Sequence, residues 1–266
     1  MAESTKKLRF FKLETDADGV TLVTFNRPPV NAFSSETYQE ICDLVEILQS
    51  DDNTRVAVLT SPHESRAWGG GADLNDFVGL DYESRLKRYE LVNRTFETFF
   101  RLDRPIIAAV NNHAIGAGFV LTTLCDVRVA SQEAFFALPE IDRGVLANGG
   151  GFFFRLRMPQ GFIREMILTG RRFMAEELRH ANVFNYILPK DEVLPKALEI
   201  AHLMAKKSLP ALKANKAAVN VGETQTYWLE TYKMTQQTSA TLTAGADAKE
   251  GVKAFLEKRN PVYVDR

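Results

Sequence analysis

The hydrophobic positions of the chain change their period from segment to segment, and each change predicts a new element. Residues 8–28 alternate apolar and polar positions on either side of the turn DADG, which predicts a β-hairpin. Residues 34–50 repeat apolar residues at helical spacing, and Ser34 or Ser35 is available to cap that helix. Residues 56–60, VAVLT, are continuously apolar, which is typical of a strand covered on both faces.

The order of strand, helix and strand recurs along the first part of the chain. The patterns predict a helix over 84–102, a buried strand over 104–112, and a further helix and strand within 113–130. This alternation predicts an α/β core with a parallel sheet. Helical patterns dominate later, so we expect a core over residues 1–200 and a helical C-terminal region over 201–266.

Length and charge narrow the classes of function. With 266 residues, of which 45% are hydrophobic, the chain is long enough for one large core or for one core with a small subdomain. Its 33 basic and 34 acidic residues give a net charge of −1, so no overall field attracts nucleic acid or an anionic membrane. The sequence carries no motif of interleaved basic and aromatic residues, and we expect no nucleic-acid partner.

The cysteines and the N-terminal residues indicate a reducing compartment. Cys42 and Cys125 lie in helical patterns without a CxxC motif or clustered histidines, which predicts two buried free thiols and no metal site. Residues 1–10 lack the apolar segment of a secretory signal, and polar residues interrupt the longest apolar run. We therefore expect a cytoplasmic protein with no membrane partner.

Two glycine-rich bends each precede a helical pattern. The first is AWGGGADLNDF, residues 67–77, and the second opens HAIGAGFVLTTLCDVRVA, residues 113–130. The first N–H groups of a helix have no partner within it, and small residues let a ligand approach them. Two such bends that converge would hold one oxygen between two N–H donors, as an oxyanion hole does. The alternative is that each glycine only allows close packing of helix on strand.

A third segment, FALPEIDRGVLANGGG, residues 136–151, supplies a candidate acid and base. Glu140 lies between apolar neighbours, and a carboxylate in a dry pocket binds its proton more tightly. That property suits general acid–base catalysis at neutral pH. The alternative is an ion pair of Glu140 with Arg143 or Arg155.

These three segments, together with FNRPPVNAFS, ILTGRRFMAEE and EGVKAFLEKRNPVY, resemble the crotonase superfamily, the enoyl-CoA hydratase/isomerase family, over residues 8–262. The resemblance implies a spiral of ββα units with a helical C-terminal part that forms a homotrimer, often a hexamer as a dimer of trimers. It also implies acyl-CoA thioester substrates. No cofactor is expected beyond the coenzyme A of the substrate, and no metal.

The same resemblance assigns roles to individual residues. The backbone amides of Gly70 and Ala117 are expected to hold the thioester oxygen as it becomes an enolate oxyanion. Lys258 resembles the basic contact to the CoA phosphates, often supplied by a neighbouring subunit. The residues expected to line the CoA channel are Val30, Ala32, Gly71, Ala72 and Asp73.

The chain departs from the family's hydratases at one catalytic position. In the hydratase pattern A-x-G-G-G-x-E-L the first of two glutamates follows the second bend, and Val120 stands there in this chain. The second glutamate is present as Glu140. Hydratases hold a water between both carboxylates, whereas family isomerases keep only the second. The pattern therefore favours a Δ3-Δ2 enoyl-CoA isomerase that uses Glu140 to move a proton from C2 to C4.

Other chemistry on the same oxyanion hole stays open. The alternatives are hydration with a replaced water site, decarboxylation, thioester or C–C hydrolysis, and CoA binding without catalysis. Asn148 is a candidate contact to substrate or water, and Asp142 is a candidate second acid. Residues 74–90 are expected to cover the pocket, with Tyr82 or Tyr89 reaching into it. The acyl group is not specified by the sequence.

Overall fold

The computed structural model of the chain describes residues 7–78, 81–144, 146–147, 158–224 and 245–264. The described strands are β1 (Phe11–Thr15), β2 (Val20–Phe25), β3 (Val56–Thr60), β4 (Ala67–Gly69), β5 (Ile106–Val110), β6 (His113–Ile115), β7 (Val127–Ser131), β8 (Phe135–Ala137), β9 (Phe173–Met174) and β10 (Tyr186–Leu188). The described helices are α1 (Ser35–Ser50), α2 (Tyr82–Phe100), α3 (Ala117–Thr123), α4 (Gln160–Thr169), α5 (Lys190–Ala205), α6 (Leu209–Thr224) and α7 (Ala246–Leu256).

The larger sheet has the strand order β1-β2-β3-β5-β7-β10. The predicted hairpin is confirmed, because β1 and β2 pair antiparallel around the turn at residues 16–19. The other neighbours in this sheet pair parallel. Every residue of β3 and β5 is buried, as their continuous apolar sequences predict.

The smaller sheet has the order β4-β6-β8-β9, with β4, β6 and β8 parallel. Along the chain a strand of the large sheet is followed by a strand of the small sheet and then by a helix. This unit occurs as β3-β4-α2 and as β5-β6-α3. A third pair, β7-β8, follows them. The α/β class and the repeated ββα unit are therefore confirmed.

Helix α5 covers one face of the large sheet. Its buried residues recur every fourth position, at Val193, Ala197, Ala201 and Ala205, and form one apolar cluster with residues of β3, β5 and β7. The predicted boundary at residue 200 falls inside this helix. The structure corrects it, because the layer that packs on the sheet continues to Ala205.

Helix α6 is fixed to the core by a buried lysine. The Nζ of Lys216 donates to Asp126 Oδ2 at 2.8 Å and to the carbonyl of Arg104 at 2.9 Å. The same Asp126 oxygen accepts from the N–H of Ile106 at 2.7 Å, at the start of β5. One carboxylate thus joins the C-terminal helices to the central sheet.

Candidate active site

Three parallel strands of the small sheet end side by side, and the residues after them line one cleft. β4 ends at Gly69, β6 at Ile115 and β8 at Ala137, and the carboxyl ends of adjacent parallel strands share one edge. Residues 70–72, 116–117 and 139–140 therefore meet at a cleft of about 680 Å³. The other described residues that line it are Tyr38, Leu74, Phe77, Arg85, Leu86, Arg88, Tyr89, Val92, Asn93, Phe96, Ile115, Val120, Arg143 and Leu146.

The two glycine-rich bends touch each other. A Cβ on Gly118 would lie 2.3 Å from the carbonyl oxygen of Gly69, so a larger residue would force β4 and α3 apart. A Cβ on Gly116 would lie 3.6 Å from the Cα of Gly71. Both Gly71 and Gly116 also have positive φ, at 88° and 52°. The two bends therefore converge as expected. The glycines do allow close packing of helix on strand, and this packing is what brings the two bends together.

The amide predicted to act from the first bend is not available. The Gly70 N–H donates to the carbonyl of Asn31 at 3.1 Å. Further along the bend, the Gly71 carbonyl accepts from the Phe33 N–H at 2.8 Å, and the Asp73 N–H donates to the Phe33 carbonyl at 2.9 Å. These two bonds flank Ala72, so its own N–H faces the other side of this extended segment.

The structure thus corrects the assignment of Gly70 as an amide donor. Among the backbone bonds of the described residues, none uses the Ala72 N–H, and Ala72 lines the cleft. Three consecutive glycines in the sequence gave no means to choose among neighbouring amides. The deciding contact is the pairing of the bend with residues 31–33, which are distant in sequence.

The second bend places Ala117 at the start of a helix. Helix α3 begins at Ala117, and the Val120 N–H donates to the Gly116 carbonyl at 2.9 Å. The N–H of the first helical residue has no acceptor within a helix. Because Ala117 lines the cleft together with Ala72, both amides border the same space.

Glu140 lies directly beside the second bend. It belongs to a single helical turn, Pro139–Arg143, and its Oε1 would be 2.9 Å from a Cβ placed on Gly116. Its Oε2 is buried without a hydrogen-bond partner in the described part of the chain. Burial raises the pKa of Glu140 above its ordinary value, while its own backbone N–H and the charge of Arg143 act in the opposite direction.

Glu140 is the one acidic side chain among the described residues that line the cleft. Val120, at the position of the absent glutamate, is 3% exposed and lines the same cleft. Asp142 is exposed, and its carboxylate lies against Gly170 rather than in the cleft, which excludes it as the second acid. Asn148 lies outside the described residues, and residues 148–157 contain no aspartate or glutamate.

The remaining predicted contacts lie next to the first bend or far from it. Val30 packs against Gly70, its carbonyl oxygen 2.4 Å from a Cβ position there. Arg27 links two others, because it donates to the Ala32 carbonyl at 3.0 Å and to Asp73 Oδ2 at 2.7 Å. Burial acts to raise the pKa of Asp73, but bonds from Arg27 and Asn75 hold it below its ordinary value.

Asp73 also caps the turn Leu74–Phe77, as a helix-capping aspartate does, and borders a second cavity of about 540 Å³. Lys258 is exposed after the last helix and is not among the residues that line the cleft within this chain. Its proposed contact across a subunit boundary is not tested by a single chain. Both cysteines are free, with Cys125 buried and Cys42 half-buried.

Two arginines of α2, Arg85 and Arg88, line the cleft and were not predicted. In the sequence SRLKRYE they resemble the solvated face of a surface helix, and burial of a charge leaves no local signal. Tyr89 does reach the cleft as predicted, whereas the side chain of Tyr82 lies outside the described part.

Two negative findings apply to the described residues. No group of three or more histidine, cysteine, aspartate or glutamate side chains is arranged there to hold a metal ion. Within the same residues, the helices are too short or too polar for any of them to cross a membrane.

Comparison with known proteins identifies the family. Residues 15–266 match the family model described as enoyl-CoA hydratase/isomerase. The chain is 33% identical to 2,3-dehydroadipyl-CoA hydratase of Escherichia coli over 250 residues, which is 93% of this chain and 96% of that protein. It is 29% identical to a short-chain-enoyl-CoA hydratase of Clostridium acetobutylicum, over 90% of this chain and 92% of that protein.

Solved structures agree. The crystal structure of an enoyl-CoA hydratase from Bacillus anthracis superimposes with a TM-score of 0.89 at 29% identity, covering 96% of this chain and 99% of that one. The match spans both sheets and the C-terminal helices. The chain therefore belongs to the enoyl-CoA hydratase/isomerase family of the crotonase superfamily and processes acyl-CoA thioesters.

Proposed function

We propose that the protein is a Δ3-Δ2 enoyl-CoA isomerase in which Glu140 is the sole proton carrier. The observation that supports it is that Glu140 lies beside two main-chain amides and is the one acidic side chain among the described residues of the cleft. An isomerase needs one group that accepts a proton and returns it. A hydratase of this family uses two, and Val120 replaces one of them with a side chain that binds no water.

In the proposed reaction the Ala72 amide takes the place first assigned to Gly70, and the Ala72 and Ala117 amides hold the thioester oxygen. Ionised Glu140 takes the proton from C2, and the electrons of the C2–H bond pass into a dienolate whose oxygen carries the negative charge. The amides stabilise that charge more than the neutral carbonyl of the substrate, which lowers the barrier. Glu140 then gives the same proton to C4, so the double bond moves from C3–C4 to C2–C3.

The raised pKa of Glu140 fits both halves of this cycle. A general base with a pKa nearer to neutrality is a stronger base than an ordinary glutamate and is still ionised in a useful fraction of molecules. After it takes the proton, the neutral acid is the form that burial favours. The apolar surroundings therefore support the acceptance of the C2 proton and its storage until it is transferred to C4.

For the coenzyme, we propose a path beside the first bend. Gly71, Val30, Ala32 and Asp73 border it, and Lys258 of a neighbouring subunit meets the phosphates in a homotrimer or a hexamer. We also propose a cytoplasmic location. The path and the subunit contact rest on the family resemblance, and the location rests on the two cysteines outside any CxxC motif.

The relatives named above are hydratases, so the decisive experiment measures both reactions with one preparation. We expect fast conversion of a 3-enoyl-CoA to its 2-enoyl isomer and slow addition of water to crotonyl-CoA. Fast hydration without a double-bond shift would show that the protein is a hydratase with a rebuilt water site.

The Glu140→Gln variant tests the proton carrier. It keeps the shape of the side chain and removes its basicity, so we expect the isomerisation kcat to fall by roughly 10²- to 10⁴-fold. Asp142→Asn is the matched control, since Asp142 is an exposed carboxylate two residues away that lies outside the cleft. Equal turnover in Glu140→Gln and wild type would remove Glu140 from the mechanism.

A further inference from the structure

One wall of the cleft contains a buried cation that the proton transfer does not use. The side chain of Arg88 is 8% exposed, and within the described chain its Nε and Nη2 have no hydrogen-bond partner. Buried hydrogen-bond donors left unpaired on a guanidinium are costly, so Nε and Nη2 of Arg88 are suited to an anion that arrives with the ligand.

The nearest acid does not satisfy Arg88. Asp76 Oδ2 lies 3.7 Å from the Arg88 Nε, beyond hydrogen-bonding distance. That oxygen already accepts from the Ser35 N–H at 2.6 Å and from the Ser35 hydroxyl at 2.8 Å. Asp76 thus binds the first residue of α1 and compensates only part of the Arg88 charge.

A second cation lies on the same wall. Arg85, one turn earlier on α2, has its guanidinium 4.5 Å from the centre of the Phe77 ring, and Arg88 lies 4.4 Å from the same ring. The Arg85 Nε donates to the Tyr89 hydroxyl at 3.0 Å. Two guanidinium groups close to one aromatic ring repel each other. An anion bound between or beside them would offset that repulsion.

Tyr38 also lines the cleft, and the Arg88 guanidinium lies 5.4 Å from the centre of its ring. Burial raises the pKa of Tyr38 to about 12, while Arg88 lowers it and Glu140 raises it, so the phenol lies within range of both charges. The charge of Arg143 lowers the pKa of Glu140. Arg88 and Glu140 both line the cleft, and the ion pair of Arg88 is with Asp76, so a ligand can extend from Arg88 to Glu140.

We propose that the cleft selects acyl groups whose far end carries a carboxylate, and that Arg88, assisted by Arg85, binds that carboxylate. This inference rests on the proposed function only in placing the thioester at Ala72 and Ala117. A planar guanidinium matches a carboxylate with two parallel hydrogen bonds, and the apolar side chains between, such as Phe96 and Val120, suit a hydrocarbon chain.

Calorimetric binding of saturated acyl-CoA esters tests this selection without any turnover. The pairs are succinyl-CoA with butanoyl-CoA, glutaryl-CoA with pentanoyl-CoA, and adipyl-CoA with hexanoyl-CoA. We expect at least one dicarboxylic ester to bind wild type about 10- to 100-fold more tightly than its neutral partner, as for a charge-assisted hydrogen bond. The ratio of the two Kd values is the readout.

Two variants assign that ratio to Arg88. Arg88→Met should reduce it to about one, and Arg88→Lys should keep part of it because the charge remains. Arg94→Met is the matched control, since Arg94 is an exposed arginine of the same helix that donates to Gln39 and lies outside the cleft. It should keep the wild-type ratio.

The outcomes separate this proposal from the isomerase proposal. If no dicarboxylic ester is preferred by wild type, or if Arg88→Met keeps the preference, the carboxylate selection is wrong whatever reaction the enzyme catalyses. If Arg88→Met does not fold, the wild-type ratio and the Arg88→Lys ratio still decide. If the protein prefers a dicarboxylic ester but does not shift double bonds, the proposal of carboxylate selection stands and the isomerase proposal is wrong.

Discussion

At Glu140, burial and a nearby cation act in opposite directions on one carboxyl. Burial raises its pKa and Arg143 lowers it, although Arg143 is exposed and its Nη1 donates to the Pro139 carbonyl at 3.0 Å. In the proposed isomerisation, the ionised form removes the C2 proton. Activity is therefore expected to fall as the pH drops through this raised pKa.

Arg143→Gln should move that acid limb to higher pH. Without the cation, the ionised carboxylate loses a favourable interaction, so the pKa of Glu140 rises further and less base is present at a given acidic pH. The measurement is the pH profile of kcat/KM for a 3-enoyl-CoA. Arg179→Gln, an exposed arginine paired with Glu176, is the control and should leave the limb in place. A limb that moves to lower pH would contradict the assignment.

Single residues also show what the sequence could and could not predict. Glu140 was found because its apolar neighbours predict a dry carboxyl, and the structure confirms that environment. The amide was misplaced at Gly70 because the choice depends on pairing with Asn31 and Phe33. Arg88 was missed because a charge on a polar helix face gives no local sign of burial.

At the level of elements, the bend before α3 combines two demands on Gly116. Its φ of 52° combined with a ψ of −124° is a conformation that favours glycine, and its missing side chain leaves room for the Glu140 carboxylate. These demands can be separated because Gly144 also has a positive φ, of 66°, with nothing within 4 Å of a Cβ placed there.

Gly116→Ala should lose both stability and activity. The backbone conformation costs about 1–3 kcal/mol for a residue with a side chain, and the methyl group displaces Glu140 from the bend. Gly144→Ala should lose stability of the same order and keep its kcat. Chemical unfolding and steady-state kinetics on both variants measure the two effects. A Gly116→Ala variant with wild-type kcat would mean that the position of Glu140 beside Gly116 is not required.

The link between α6 and the central sheet gives a second prediction at this level. Asp126→Asn keeps an oxygen for the Ile106 N–H but leaves the charge of Lys216 buried without its counter-ion. We expect a loss of about 3 kcal/mol, the lower end for a broken buried pair because Asp126 is a quarter exposed.

The double variant Asp126→Asn with Lys216→Met removes the unpaired charge and should recover part of that loss. Urea unfolding at pH 7 and one protein concentration compares the variants, because stability depends on concentration if the chain associates. The free energy of unfolding of the Lys216→Met single variant completes the comparison. If Lys216→Met lowers it by the same amount in Asp126→Asn as in wild type, the two side chains are not coupled.

The sequence predicted whether an element is a helix or a strand better than it predicted the residues at which the element begins and ends. Helix α1 begins after Ser34 as its capping pattern predicts, and Gly170 ends α4 in a left-handed conformation. The second bend predicted a helix but not that α3 stops at Thr123. Soon after that end, Asp126 contacts Ile106 and Lys216, and contacts between residues distant in sequence are not visible in a local pattern.

On the scale of the whole molecule, the ββα spiral was predicted from motif order and is present. Periodicity alone gave only an α/β core with parallel strands, because it cannot assign strands to two sheets. The end of the core was placed at residue 200 instead of Ala205, since the apolar face of α5 continues across that point. The trimer and the role of Lys258 remain predictions.

Those two predictions can be tested together. Lys258 has a φ of 53°, so Lys258→Asn removes the charge with a residue that tolerates this backbone. We expect affinity for an acyl-CoA to fall by about two- to fivefold, as for an exposed ion pair, and affinity for an acyl-pantetheine without phosphates to stay constant. Lys249→Gln on α7 is the control, and sedimentation velocity reports the trimer. An equal loss for both ligands would exclude a phosphate contact.

The convergence of β4, β6 and β8 has a consequence for variation in this protein. In the proposed site the groups that hold the thioester oxygen belong to the peptide bond, so no substitution at Ala72 or Ala117, other than proline, deletes them. The proposed selectivity and proton transfer instead depend on replaceable side chains, Arg88 and Glu140. Laboratory evolution toward new acyl groups should therefore accumulate changes along α2, while the three strand ends retain their glycines and alanines.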